Sequence, residues 1–200
     1  MGKRLFDLCC AAVALAVLWP VMLVIAFIIR IESRGPALFR QVRVGRHGRT
    51  FELLKFRTMY VATNSDAPQI TAAGDTRITR VGRFLRASKL DELPQFLNVL
   101  SGDMSLVGPR PEVPKYVALY PPEVRNIILS VRPGITDEAS IRFRKEEELL
   151  GKSSNPERTY VREILPQKLR LYESYARHHR VVSDIGILVR TFVALVRRGD

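Results

Sequence analysis

At 200 residues the chain has the size of one domain with room for a short appended element, and 46% hydrophobic residues suffice for a core, which excludes a disordered tract. Thirty-two Lys and Arg against twenty Asp and Glu give a formal charge of +12, which points to a polyanionic partner: nucleic acid, an anionic membrane surface or a phosphorylated substrate. Cys9 and Cys10 are adjacent inside an apolar run, which excludes an ordinary disulfide between them and any metal-ligand spacing. They read as small lipid- or protein-facing residues, with palmitoylation as the alternative.

Residues 8–29 form a run of 22 without a charge. At about 1.5 Å per residue a helix of that length can cross the roughly 30 Å hydrocarbon layer. A cleaved signal peptide is the rival, but the run is long for one and residues 27–30 lack a small-residue cleavage site. Trp19-Pro20 falls at mid-run, where proline removes a helical donor and predicts a bend. Lys3 and Arg4 precede the run, and Arg30, Arg34, Arg40, Arg43 and Arg46 follow it. A helix that enters and returns to the cytoplasmic face satisfies both basic flanks; a plain span is the alternative.

Next, residues 37–44 and 50–56 read as strands joined by the glycine-bounded turn Gly45-Arg46-His47-Gly48. Residues 60–74 read as a polar loop. Helical spacing resumes at Ile78, Val81, Phe84 and Leu85, interleaved with Arg77, Arg80, Arg83 and Arg86. A second helix is expected to begin at Asp91, as N-cap, with Pro94 in its first turn, and to stop at Gly102. Proline-rich loops follow at 107–111 and 131–134. Asn155-Pro156 has the form of a cap and first helical residue. Near the end, Ile185, Leu188, Phe192, Leu195 and Val196 form an apolar stripe beside Arg190, Arg197 and Arg198, suited to the membrane interface or to core packing.

Among residues able to do chemistry, Asp91 and Glu92 stand out. At a helix start, free amides and the positive dipole end favour bound phosphate and an ionised carboxylate, which can hold Mg²⁺ or attack phosphorus. Arg86 and Lys89 lie within one or two turns. Gly108-Pro109-Arg110-Pro111 is a stiff frame presenting Arg110 as a planar cation for phosphate, and Arg132-Pro133-Gly134 invites the same reading. Lys55 and Arg57 place two cations just after a strand; a snorkelling surface pair is the bland alternative. His47, His178 and His179 show no metal-ligand constellation, and no phosphate-binding or dinucleotide-binding glycine fingerprint is present.

The order of these motifs resembles the monotopic phosphoglycosyl transferases, bacterial sugar transferases that initiate surface glycans. The matching stretches are Lys3-Arg4-Leu5-Phe6-Asp7, the apolar run around Pro20, Gly35-Pro36-Ala37-Leu38-Phe39-Arg40-Gln41, Lys55-Phe56-Arg57-Thr58-Met59, residues 88–95 around Asp91-Glu92, residues 102–111 and residues 131–136. The resemblance implies an α+β, predominantly helical fold: a re-entrant membrane helix-break-helix over 1–34, then a cytoplasmic catalytic domain over 35–200 with a small β-hairpin and amphipathic interfacial helices. It implies that Asp91 and Glu92 work with Mg²⁺ as both catalytic and metal-binding residues. Asp91 would attack the β-phosphate of a UDP-sugar, release UMP and pass the phospho-sugar to undecaprenyl phosphate. Arg86, Arg110, Arg132, Lys55 and Arg57 would hold substrate phosphates, and Gly108, Pro109 and Pro111 would support the nucleotide-sugar loop. The implied setting is the cytoplasmic leaflet of the bacterial inner membrane, with no nucleic acid partner and an N-acetylated sugar. Trp19-Pro20 departs from the Ser-Pro frequent at the family's bend, and Asp137-Glu138-Ala139-Ser140 departs from its Gly-aromatic-Gln pattern. The other reading of the charge and the apolar run is a non-catalytic, membrane-anchored basic module that binds anionic lipid or nucleic acid; it gives Asp91-Glu92 no task.

Overall fold

The computed structural model describes residues 2–61 and 74–196. Most of the expected 60–74 loop, together with Arg197 and Arg198, lies outside the described residues. The first helix, α1 (Gly2–Glu32), runs without interruption through Pro20. The expected break is therefore not seen, and the backbone stays helical across Pro20: the proline costs the bond to the Ala16 carbonyl and so leaves a place to bend, but the turns on either side close their own bonds. Val13, Val17, Trp19, Leu23, Val24 and Phe27 are 57–67% exposed, an apolar surface that water would not leave uncovered.

Both ends of α1 are fastened to the same body. At the start, buried Asp7 accepts from Leu106 N at 3.2 Å and Ser105 Oγ at 2.8 Å, Lys3 pairs with buried Asp184, and Arg4 donates to the Val99 and Leu100 carbonyls. At the far end, Ile25 and Ile29 pack with Phe56 and Leu85. Arg57 donates to the Ser33 and Arg34 carbonyls, each at 2.7 Å, capping the helix C-terminus.

The hairpin forms as expected: β1 (Leu38–Val44) pairs antiparallel with β2 (Thr50–Phe56), Leu38 opposite Phe56 and Val44 opposite Thr50. Its turn holds a short 3-10 segment with His47 in the left-handed region. Helix α2 (Arg80–Ser88) is capped by Thr79, whose hydroxyl accepts from Gly82 N. Gly82 lies so close to the Thr58 backbone that a Cβ would sit 2.0 Å from its carbonyl oxygen. The expected apolar face of α2 divides, because Leu85 is buried while Phe84 is 64% exposed.

Asp91 does not begin the next helix. It lies in a separate 3-10 turn, Leu90–Glu92, entered through left-handed Lys89, and α3 (Gln95–Ser101) starts after Pro94. Because α2 ends only two residues earlier, the backbone must reverse here, and Lys89 provides the reversal. Helix α3 does stop at Gly102, which has φ 96°.

The two proline-rich segments are more than loops. They carry β3 (Ser105–Val107) and β4 (Gly134–Thr136), a parallel pair with Ser105 opposite Gly134. A Cβ on Gly108 would meet the Arg132 carbonyl oxygen at 2.4 Å, and one on Gly134 would meet Gly108 N at 2.1 Å. These glycines thus bring backbone to backbone. Short helices follow: α4 (Pro114–Val117), α5 (Pro122–Ile128), α6 (Glu138–Arg142), α7 (Glu146–Gly151) and α8 (Pro156–Thr159), the last capped by Asn155 as expected. A single π turn leads into α9 (Leu165–His178), and α10 (Val181–Val196) closes the described chain. The main core joins Val44, Tyr116, Tyr120, Ile128, Leu150, Tyr160, Ile164, Leu169 and Tyr172. On α10, Asp184 and Ile187 are buried, while Ile185, Phe192 and Val196 of the predicted stripe face outward.

Candidate active site

The 3-10 turn after α2 places Asp91 and Glu92 side by side, both buried, against the end of β2 and the loop after β3. Their surroundings differ. Glu92 accepts from Arg110 on both oxygens, at 2.5 Å to Oε1 and 3.3 Å to Oε2, and from Lys55 at 3.0 Å on Oε1. Asp91 makes no such bond among the described residues: its ion pair with Lys55 is long, at 4.0 Å from Oδ2. Its buried Oδ1 has no hydrogen-bond partner among the described residues. Leaving such an atom dry costs about 1–3 kcal/mol, so the pair is divided into a satisfied carboxylate and an unsatisfied one.

The proton affinities follow that division. Burial pushes Asp91 above the usual aspartate range, with Lys55 pulling against it and the Glu92 charge adding to it. Burial would raise Glu92 too, but Arg110 and Lys55 outweigh it and hold Glu92 well below the usual range. Glu92 raises Arg110 in return, while burial lowers Lys55.

Of the other predicted residues, Arg86 reaches towards Glu147, at 2.5 Å, while its field still favours ionised Asp91. Arg57 is spent on the Ser33 and Arg34 carbonyls just past α1, and Arg132 donates Nε to the Gly102 carbonyl; neither contacts the dyad in the described structure. Gly108, Pro109 and Pro111 shape the Arg110 loop: Gly108 N donates to the Thr136 carbonyl, Gly134 N to the Pro109 carbonyl, and Arg43 to the Pro111 carbonyl.

The structure adds residues that sequence reasoning missed. Gln95 is buried with Nε2 unpaired among the described residues. Glu112, directly after Pro111, accepts from the Tyr160 hydroxyl at 2.5 Å and from Arg43 at 3.4 Å, tying the Arg110 loop to α9's approach. Asp137 is buried, caps α6 through Ser140 and lies in the field of Arg110. Tyr172, whose buried hydroxyl has no hydrogen-bond partner among the described residues, faces the same region. Position next to Pro111 was a readable signal for Glu112; Tyr172 offered none.

A group of three or more potential metal-ligating side chains is absent among the described residues. The unpaired Oδ1 of Asp91 nevertheless fits Mg²⁺, a hard ion that takes one or two carboxylate oxygens and completes its shell from water and substrate phosphate. Glu92, with both oxygens occupied by cations, fits that task less well.

A buried carboxylate pair faced by fixed cations, on a body fastened to an exposed apolar helix, is a centre suited to phosphate esters. The family model for bacterial sugar transferases matches residues 1–198, and the chain belongs to that family. It is 39% identical, over 98% of its length, to the UDP-glucose:undecaprenyl-phosphate glucose-1-phosphate transferase of Caulobacter vibrioides, of which it spans 70%. It is 40% identical over 98% of its length to the enzyme of the same name from Xanthomonas campestris, and 44% over 70% to the UDP-N-acetylgalactosamine-undecaprenyl-phosphate N-acetylgalactosaminephosphotransferase of Aeromonas hydrophila. The chain spans 39% and 33% of those two proteins.

Proposed function

We propose that this chain transfers a sugar 1-phosphate from a UDP-sugar to undecaprenyl phosphate at the cytoplasmic face of the bacterial inner membrane, through a covalent Asp91 intermediate. The observation that carries this reading is the unpaired, buried Oδ1 of Asp91 beside a Glu92 already held by Arg110 and Lys55. One carboxylate oxygen of Asp91 attacks the β-phosphorus, leaving the other for the metal; a P–O bond forms, the bond to the α-phosphate oxygen breaks, and UMP leaves. An oxygen of the lipid phosphate then attacks the same phosphorus, and the bond to Asp91 breaks to restore the carboxylate. Arg110 and Lys55, fixed by Glu92, face the diphosphate with charge already in place, which requires no reorganisation during transfer. Mg²⁺, held by Asp91 and substrate phosphate, would supply further charge neutralisation at the diphosphate.

The two anchored ends of α1 support a re-entrant placement. Asp7 and Ile29 are 22 residues apart, about 33 Å of helix, yet both pack on one body. A helix crossing a roughly 30 Å layer would put those ends on opposite sides, where one water-soluble body does not reach both. The outward apolar stripe of α10 and exposed Phe84 suit the same interface. The relatives matched over 98% of the chain are named for glucose, so UDP-glucose is the first donor to test, ahead of the N-acetylated sugar that motif resemblance favours. Formation of undecaprenyl diphosphate-glucose with stoichiometric UMP tests the reading, with UDP-N-acetylgalactosamine in parallel; failure with every UDP-sugar, in folded protein with Mg²⁺, overturns it.

A further inference from the structure

We propose a second phosphate-type anion site in the recess between the hairpin turn and the end of α3, apart from the carboxylate dyad. The recess holds about 280 Å³, and Gly45, Arg46, His47, Arg49, Asp103 and Arg132 are among the residues that line it. Lys55, which touches the dyad, lies five residues along β2 from Thr50, roughly 17 Å of extended strand.

Three arginines converge here without a carboxylate partner among the described residues. Arg46 gives Nε to the Ser130 carbonyl and Arg132 gives Nε to the Gly102 carbonyl. Each keeps both terminal nitrogens, the pair that grips a phosphate bidentately. The lone lining carboxylate, Asp103, already accepts from Ser101. Burial lowers the proton affinity of Arg132, and Arg4 and Arg46 lower it further against the pull of Asp7, which places these cations in one another's field. The walls are fixed beforehand: His47 N donates to the Leu129 carbonyl, and Gly45 N to the Arg49 carbonyl, both at 2.7 Å. Arg4, at the start of α1, closes one side by Gly102, so the recess opens beside the apolar helix. A phospholipid headgroup and a free phosphate share the chemistry this site recognises.

The test uses the full chain in neutral detergent and in vesicles, comparing native protein, the double variant Arg46→Gln/Arg49→Gln, and a charge-matched control, Arg144→Gln/Arg162→Gln, at exposed positions. Inorganic phosphate is titrated calorimetrically. Binding to phosphatidylcholine vesicles with and without phosphatidylglycerol is read by flotation. The double variant is expected to lose one bound phosphate per chain, its affinity there falling about tenfold or more, or to lose its preference for phosphatidylglycerol, while the control retains both. Loss of the phosphate alone identifies a free phosphate, and loss of the lipid preference identifies a headgroup. Native behaviour in the double variant, or an equal loss in the control, overturns the site. Arg49→Gln alone serves if the double variant does not fold. These readings involve no turnover and stand apart from the transferase reading.

Discussion

Glu92 receives the Arg110 guanidinium on both carboxylate oxygens, at 2.5 and 3.3 Å, while the adjacent Asp91 keeps Oδ1 unpaired. Two neighbouring acids thereby stand in different surroundings among the described residues, one held by cations and the other without a hydrogen bond on Oδ1, and the proposed covalent step rests on that difference.

Asp91→Asn should abolish UMP release before acceptor is added, whereas native enzyme should release up to about one equivalent and carry sugar label at Asp91. Quench-flow with radiolabelled UDP-glucose measures both. Release that begins only when undecaprenyl phosphate is present would remove the covalent step.

Arg110→Lys keeps a charge but loses the fork that meets both Glu92 oxygens. Turnover should fall by about 2 kcal/mol, roughly 30-fold, with the melting temperature little changed. Near-native turnover would place Arg110 outside the reaction.

The amplitude of the UMP burst should decline as pH falls through the Asp91 pKa, at a pH above the roughly 3.9 of a free aspartate, because burial raises that group and only the ionised form attacks. Lys55 favours the ionised form, so Lys55→Gln should move this acid limb to higher pH. A shift to lower pH contradicts the assignment. Stability linked to Glu92 is lost in the same direction but further into acid: its folded pKa is depressed, so its contribution is present above the unfolded value of about 4.3 and is lost as pH falls through the folded one.

Arg57→Gln should cost roughly 3 kcal/mol of stability, since charged bonds to the Ser33 and Arg34 carbonyls past the end of α1 are lost, while activity per folded molecule holds. Thermal melts in detergent beside active-site titration separate the two. A stable protein with a lost burst would return Arg57 to the phosphate site.

A cysteine placed at Gly2 should resist membrane-impermeant reagent in intact cells and react after permeabilisation. Efficient labelling from outside would establish a span and defeat the re-entrant placement of α1.

Local sequence determined much of this protein. The glycine-bounded turn set the hairpin, Gly102 ended α3, Asn155-Pro156 opened α8, and the 22 uncharged residues made α1 long and apolar, because each depends on neighbours within a few positions. Asp91 and Glu92 were visible as a candidate pair, with Lys55 and Arg110 among the candidate cations. What belonged to tertiary structure was the pairing. Arg110 and Lys55 stand 18 and 37 residues from Glu92 and meet it only when the hairpin and the β3–β4 pair close around the turn. Arg57, two residues from Lys55, turns instead to the end of α1, and Arg132 to the end of α3. A cation's partner is fixed by which buried acceptors the folded chain brings within about 3 Å, and sequence spacing carries no record of that distance.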